Sequence, residues 1–274
     1  LGRLINRFIA PMPFLRKLCL RSYLVARPFR AQALDNPSAT VVVPCRNERG
    51  NIEPAVTRVP AFCDDIEILF VEGGSSDGTW EEIERVIESY PDLDIKAIKQ
   101  PGKGKGDAVR AGFDAARGEV LMIQDADLTA PPEDLPKFYQ ALVDGRGEFI
   151  NGTRLVYPLD SDAMRFLNLI ANKIFSLTFT WLLNQRFTDT LCGTKVLTKK
   201  NYQRIAANRA YFGDFDPFGD FDLILGATRL NMKVEEIPVR YRAREYGSTQ
   251  ISRFRHGLML LRMTVFAFMK LKAI

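Results

Sequence analysis

From Ala39 onward, short runs of β-branched and large apolar residues alternate with segments whose apolar positions recur every three to four residues. That alternation predicts parallel strands joined by crossover helices. The strand-like runs are ATVVV (39–43), IEILFV (66–71), DIKAIK (94–99), EVLMIQ (119–124) and EFIN (148–151). The helical segments between them are TWEEIERVIES (79–89), GDAVRAGFDAARG (106–118) and EDLPKFYQALVDG (133–145). Thr79 or Asp77 is expected to cap the first helix, and Gly118 and Gly145 to stop the other two. After residue 152 the pattern changes to a long helical stretch, a short strand near GTKVL (193–197), a helix around 218–230 and a strand near EEIPVRY (235–241). The expected architecture is an α/β domain over 36–250, with an amphipathic arm before it (1–35, closing at the ARP of 26–28) and an amphipathic helix after it (251–274).

Charge separates these three parts. Residues 1–35 carry seven Lys and Arg against Asp35 alone, and residues 240–274 carry eight against Glu245 alone, whereas 36–239 has a net charge of −8. Both basic ends are also rich in Leu, Phe and Met. Basic residues interleaved with apolar ones suit a membrane surface better than a nucleic-acid groove, so a peripheral position on the cytoplasmic face of a membrane is expected and nucleic acid is not.

Neither long apolar stretch reads as a membrane span. GLMLLRMTVFAFM (257–269) is short and contains Arg262, and FLNLIANKIFSLTFTWLL (166–183) contains Asn168, Asn172 and Lys173, so both are expected to be interfacial or buried. The first residues lack the layout of a secretory signal. The chain opens with Leu1, as a piece of a longer polypeptide would. Four cysteines without C-x-x-C spacing suggest neither a zinc ribbon nor a disulfide scaffold. The single histidine, His256, removes most histidine-based catalysis, so chemistry must run on carboxylates and bases.

In open α/β sheets ligands gather beyond the carboxyl ends of the strands. Four loops there carry suitable groups. Pro44, Cys45, Arg46, Asn47 and Glu48 follow the first run, and Glu72, Gly73, Gly74, Ser75, Ser76, Asp77 and Gly78 follow the second. PGKGKGDA (101–108) offers glycines for close backbone approach and Lys103 and Lys105 for phosphate. The fourth loop places Asp125 and Asp127 directly after a buried strand. Alternate residues of an extended segment point to one side, so both carboxylates can face one divalent cation or one ribose. Mg²⁺ or Mn²⁺ held by two carboxylates completes its shell with water and substrate phosphate, and such an ion assists a diphosphate leaving group.

VVVPCRNERGNI, FVEGGSSDGTWE, GKGKGDAVRAGFDAARGEVLMIQDADLTAPPE and DTLCGTKVL, in that order, resemble the family 2 glycosyltransferases of GT-A fold, and among them the polyprenyl-phosphate sugar transferases such as the dolichyl-phosphate type. The resemblance covers about residues 39–251. It implies a Rossmann-like, mainly parallel sheet with helices on both faces, and an inverting, metal-dependent hexosyl transfer from a UDP- or GDP-sugar to a polyprenyl phosphate. It also implies roles for particular residues. Pro44, Arg46 and Glu48 match the P-x-Y-N-E segment, and Glu72 and Gly74 the D-D-G-S loop, which hold base and ribose. Lys105 and Gly106 match the G-K-G loop. Asp125, Ala126 and Asp127 match D-A-D, with Asp127 the stronger metal ligand. Arg154, in NGTR, and Arg165 match arginines near the sugar and acceptor phosphate. Asp189 matches an acid ahead of S-G-F-[RK], and Arg244 a basic residue before Y-G-x-S-K.

Several positions depart from that pattern. Arg46 replaces an aromatic residue and Glu72 an Asp, which bears on base stacking and base identity. Thr129 stands where a Gln is usual, removing one metal contact, and Gln250 replaces a Lys on the phosphate side. The segment 11–28 resembles the joint between methyltransferase and glycosyltransferase modules, implying a fused or partner methyltransferase or membrane module. Three other readings stay open. A hydroxyl acceptor in polysaccharide or glycolipid synthesis would need a base from Asp189, Asp220 or Asp222, and QISRF (250–254) is similar to a processive-synthase motif. A sugar nucleotidyltransferase, or a non-catalytic nucleotide-binding module docked on a membrane, would share the fold.

Overall fold

The structure is a computed structural model that describes residues 2–19, 26, 31–154, 166–212, 221–244, 246–247 and 253–272. Its strands are β1 (Ala39–Cys45), β2 (Ile66–Glu72), β3 (Asp94–Lys99), β4 (Val120–Ile123), β5 (Phe149–Thr153), β6 (Lys195–Thr198) and β7 (Val234–Pro238). Its helices are α1 (Gly2–Leu4), α2 (Ile52–Thr57), α3 (Thr79–Ser89), α4 (Lys105–Ala115), α5 (Leu135–Val143), α6 (Phe166–Leu183), α7 (Lys199–Ala207), α8 (Phe221–Arg229) and α9 (Arg253–Leu271). The strands form one sheet in the order β3-β2-β1-β4-β6-β5-β7. β1 pairs in parallel with β2 and with β4, and β5 with β7, while β6 runs antiparallel between β4 and β5.

Strand alternation divides the core. Val41, Val43, Ile68 and Phe70 face Ile52, Ile83, Phe138 and Leu142 on one side of the sheet. Val42, Leu69, Val71 and Leu121 face Val109, Phe113, Phe179 and Tyr202 on the other. A strand buried on both faces needs the unbroken apolar run that β1 and β2 carry, and each buried Val, Leu or Phe contributes about 1.5–3 kcal/mol. Chain order reverses between β1 and β4, so the crevice at their carboxyl ends is the topological switch point where ligands bind in such sheets. Helix α4 is drawn hard against β1: a Cβ at Gly112 would lie 2.4 Å from Val42. That contact brings the first residue of α4, Lys105, to the crevice.

Two expected helix signals act differently. α4 already ends at Ala115, and Gly118 is required by close packing, since a Cβ there would lie 2.5 Å from the backbone of Ala39 and Thr40. Gly78 is the N-cap of α3, and Asp77 contributes by accepting the Thr79 N–H (3.1 Å). Gly145 does follow α5 in the left-handed region, at φ 65°, as a helix stop requires.

α6 and α9 are apolar on two sides. α6 buries Phe179, Leu182 and Leu183 and exposes Ile170, Ile174 and Leu177 one turn apart. α9 buries Met263 and Ala267 and exposes Leu258, Leu261, Val265 and Met269. Trp181 ties both to the first residues of the chain, stacking on Phe268 at 5.7 Å and donating its indole N–H to the Pro11 carbonyl at 3.1 Å. That N-terminal segment exposes Leu4, Ile5, Ile9, Met12, Phe14, Leu15 and Leu18 among Arg3, Arg7, Arg16 and Lys17. No helix among the described residues is long and apolar enough to cross a membrane. Farther along, the Ala31 and Leu34 N–H groups donate to the carbonyls of Gly145 and Val143 beyond and at the end of α5.

Candidate active site

The loops after β1 and β2 are knitted by their own side chains. Asn47, in the left-handed region at φ 56°, donates its N–H to Ser75 Oγ and accepts the Ser76 N–H on its Oδ1, each at 2.9 Å. The Glu48 N–H donates to Thr79 Oγ1 at 3.0 Å. Glu72 is buried and takes the Ser75 N–H. Burial pushes its carboxyl up, but the Ser75 hydroxyl and the Ser75 and Gly74 N–H groups more than offset this and leave it below its ordinary value. Gly74 is exposed at φ 74°, Arg46 is exposed, and Pro44 is half-buried at the end of β1. The polar groups of this side therefore line a preformed rim of backbone and carboxylate.

After β4 the chain turns tightly. Buried Gln124 donates to the carbonyls of Ala130 (2.7 Å) and Asp125 (3.1 Å), and Leu128 takes φ 54°. The half-buried carboxylates of Asp125 and Asp127 flank buried Ala126. Asp127 Oδ1 accepts the Thr129 N–H (3.1 Å) and hydroxyl (2.8 Å), while Oδ2 receives the Arg244 guanidinium at 2.7 Å. Thr129 thus orients Asp127. Asp125 Oδ1 lies 2.6 Å from Lys105 Nζ. Burial pushes the Asp125 carboxyl up, and the Lys105 charge and hydrogen bond, helped by Lys195 and Arg154, hold it below its ordinary value. Gly106 is buried behind Lys105 in the first turn of α4.

The other wall is built from β5, β7 and the segment before β6. Arg154, directly after β5, donates Nε and Nη2 to the two oxygens of Asp189 at 2.6 and 2.8 Å. Asp189 also accepts the N–H groups of Arg154 (3.1 Å) and Leu191 (2.9 Å), and its side chain is 0 % exposed. The Arg154 guanidinium stacks 5.2 Å from the Tyr241 ring centre. Both oxygens of Asp189 are thus engaged, out of contact with solvent, and the carboxylate fixes the direction of the Arg154 guanidinium. Asp222 is likewise engaged, by Arg209 at 3.1 Å. Arg165, Asp220 and the first three residues of QISRF, Gln250 to Ser252, lie outside the described residues, and Arg253 and Phe254 open α9.

Three groups near the site carried no assigned role in the sequence. Glu236 of β7 accepts the Thr188 N–H and hydroxyl at 2.9 Å and the Asp189 N–H at 3.3 Å. Asn151 of β5 donates to the Asp189 carbonyl at 2.8 Å. Lys195, fully buried in β6, donates to the Cys192 carbonyl. Next to it, Gly193 abuts Asp125 so closely that a Cβ would lie 1.9 Å from Oδ2. Charged residues inside short strands, Lys195 in KVLT and Glu236 in VEEIP, were the available signal, since such groups are buried only with partners.

Among the described residues no three His, Cys, Asp or Glu side chains gather as metal ligands. A hard divalent cation does not need three, because Mg²⁺ keeps water and phosphate in most of its shell. Two adjacent carboxylates, each already drawing a side-chain cation, fit such an ion.

The sequence model of "Glycosyl transferase family 2" matches residues 40–207, more than half of the chain, and the chain belongs to that family. It is 36% identical over 119 residues to the dolichol-phosphate mannosyltransferase of Pyrococcus furiosus, an alignment covering 43% of this chain and 33% of that protein. It is 29% identical over 218 residues to the polyprenol monophosphomannose synthase of Mycolicibacterium smegmatis, covering 77% and 80% respectively. The chain thus spans only about a third of the first relative's length. In fold it matches the glucosyl-3-phosphoglycerate synthase of Mycobacterium tuberculosis, solved with Mn²⁺, uridine-diphosphate and glucosyl-3-phosphoglycerate, with a TM-score of 0.62, 15% identity and coverage of 86% and 80%. The fold is GT-A.

Proposed function

We propose that the chain transfers a hexosyl group, with inversion, from a UDP- or GDP-sugar to a polyprenyl phosphate at the surface of a membrane. The observation that carries this reading is the set of ion pairs beyond the carboxyl ends of β4 and β5: Lys105 on Asp125, Arg244 on Asp127, and Arg154 on Asp189, with the Arg154 charge acting on Asp125 as well. Two acids to hold a cation and three bases for phosphate suit a reaction in which both leaving group and acceptor are phosphates. The names of the two relatives point to the same acceptor chemistry.

The glutamates and backbone groups of the β1 and β2 loops hold the nucleoside, and Lys105 holds the diphosphate. Asp127 and Asp125 would carry Mg²⁺ or Mn²⁺, which supplies positive charge for the departing nucleoside diphosphate. An acceptor phosphate oxygen bonds to the anomeric carbon as the bond to the diphosphate breaks, and the bonding pair leaves with the diphosphate. A phosphate monoester, with a second pKa of about 6, is already ionised near neutral pH, so no proton has to be removed. That agrees with the saturated hydrogen bonding of Asp189, which leaves it no oxygen to act as base.

Membrane contact is supported by the apolar faces of α6 and α9 and the N-terminal segment. Leu177 and Phe14 are 62% and 84% exposed there, and the neighbouring charges in 2–19 and in α9 are all basic. Such faces bind an anionic bilayer interface by apolar insertion and charge together.

The test is transfer from a panel of UDP- and GDP-sugars to undecaprenyl phosphate with Mg²⁺ or Mn²⁺. Wild type should yield lipid-linked sugar and Asp127→Ala should yield none. No product from any donor would overturn the reading.

A further inference from the structure

We infer that Arg244 is an exchangeable counter-ion of the donor site, which pairs with Asp127 and Glu48 before the donor binds and turns to the acceptor phosphate once a divalent cation and a nucleoside diphosphate take its place. The inference rests on the functional reading above and adds an order of events to it.

Each of the two carboxylates commits one oxygen to its own loop and offers the other to Arg244. Asp127 Oδ1 is held by Thr129 and Glu48 Oε2 by Asn51 at 2.7 Å. Asp127 Oδ2 and Glu48 Oε1 then receive Arg244 at 2.7 and 3.0 Å. One guanidinium thus bridges the β1 and β4 loops across the crevice. Its backbone is docked nearby: the Arg242 N–H donates to the Thr129 carbonyl at 2.9 Å, and Tyr246 lies against Gly50, where a Cβ would be 2.6 Å from the ring. A small cleft of about 170 Å³ lies beside Asp127, between Gly50, Asn51 and Arg58 on one side and Arg242, Ala243 and Tyr246 on the other.

The pair is also built to be broken. Arg244 is 25% and Asp127 17% exposed, and ion pairs reached by water hold weakly. A guanidinium brings one charge and cannot coordinate. A divalent cation brings two and is drawn further by the diphosphate that arrives with it. Lys105 on Asp125 stands in the same relation, so the exchange is balanced: with Asp125 and Asp127 given over to a cation, Lys105 would be released to the donor diphosphate and Arg244 to a second phosphate, for which its fork geometry is suited. Acceptor binding consequently follows donor binding.

The experiment is Mn²⁺ titration of the whole chain, with free ion measured by electron paramagnetic resonance, for wild type, Arg244→Gln and Arg244→Lys. Without nucleotide, Arg244→Gln should bind Mn²⁺ about tenfold more tightly than wild type, and Arg244→Lys should stay within about threefold of it. In steady-state transfer, Arg244→Gln should raise KM for the polyprenyl phosphate without raising KM for the donor. Equal Mn²⁺ affinity in wild type and Arg244→Gln, with both tightened by UDP or GDP, overturns the exchange and leaves the functional reading standing. Failure of all three proteins to bind Mn²⁺, even with nucleotide, overturns both.

Discussion

Asp127 and Asp189 are each paired with an arginine at hydrogen-bonding distance, yet the two pairs are different devices. Arg244 reaches Asp127 across 117 residues through one oxygen and leaves both partners open to water. Arg154 reaches Asp189 across 35 residues with two parallel hydrogen bonds, and the carboxylate is sealed by two backbone N–H groups as well. The first can exchange partners with an arriving cation. The second cannot, and serves to fix a guanidinium whose direction must not change. Similar chemistry thus gives one pair open to water and one sealed from it, and the difference lies in burial and in how many donors each carboxylate has.

The largest expected effect breaks the sealed pair. Asp189→Asn leaves Arg154 as a buried charge without its counter-ion and should cost about 3–5 kcal/mol in urea unfolding, whereas Asp127→Asn should change stability by no more than ~1 kcal/mol. Equal small losses would erase the distinction. The pH dependence has a defined sign. Burial pushes the Asp189 carboxyl up, but the Arg154 charge and hydrogen bonds outweigh it and leave the group below its ordinary value. A carboxyl depressed in the folded state contributes stability that is complete above its unfolded pKa, about 4, and is lost as pH falls through the folded value. The gap between wild type and Asp189→Asn should therefore hold steady from pH 7 to 5 and close below about pH 4.

A substitution on the open side acts on catalysis instead. Gly193→Ala places a methyl group where the Asp125 carboxylate stands, so the carboxylate or the backbone must give way. Transfer should fall about 10- to 100-fold, or ~1.4–2.7 kcal/mol in the barrier, with weakened Mn²⁺ affinity as the accompanying readout. Unchanged Mn²⁺ affinity would remove Asp125 from the cation site.

The donor half was largely legible because its information is local. The runs at 39–43, 66–71 and 94–99 become β1, β2 and β3 with edges shifted by two residues at most, and Asp125 and Asp127 follow their strand directly. The acceptor half was less legible because its pairings are not local. Nothing near Lys195 says that β6 inserts antiparallel between β4 and β5, and Arg154, Asp189 and Glu236 meet only when three separate segments fold together. Gly118 misled for a related reason: a glycine at the end of a helical pattern signals a stop, whereas this one answers to the backbone of β1 beside it.

Glu236 sharpens the comparison with a smaller effect of opposite sign. Among the described residues it accepts uncharged donors, from Thr188, Asp189 and Asn151, so burial dominates and those hydrogen bonds only partly compensate, leaving its carboxyl above the ordinary value. A carboxyl raised in the folded state loses stability as pH climbs from about 4 through its folded pKa. Glu236→Gln should cost no more than about 1 kcal/mol, and the balance should shift in favour of the variant as pH rises. A widening deficit with pH would show that Glu236 has a cationic partner in solution.

Salt gives the smallest effect and separates the two pairs by how far water reaches them. Screening shortens from about 30 Å at 0.01 M to about 3 Å at 1 M, and it acts on charges that water reaches. Arg244→Gln should therefore differ from wild type by no more than ~1 kcal/mol in stability at low salt and by nothing measurable at 1 M. The deficit of Asp189→Asn should persist across the same range, because its carboxylate is shielded from the ions. If high salt also removed that deficit, ions would have to enter the Arg154 pocket, and the sealed pair would be as exchangeable as the open one.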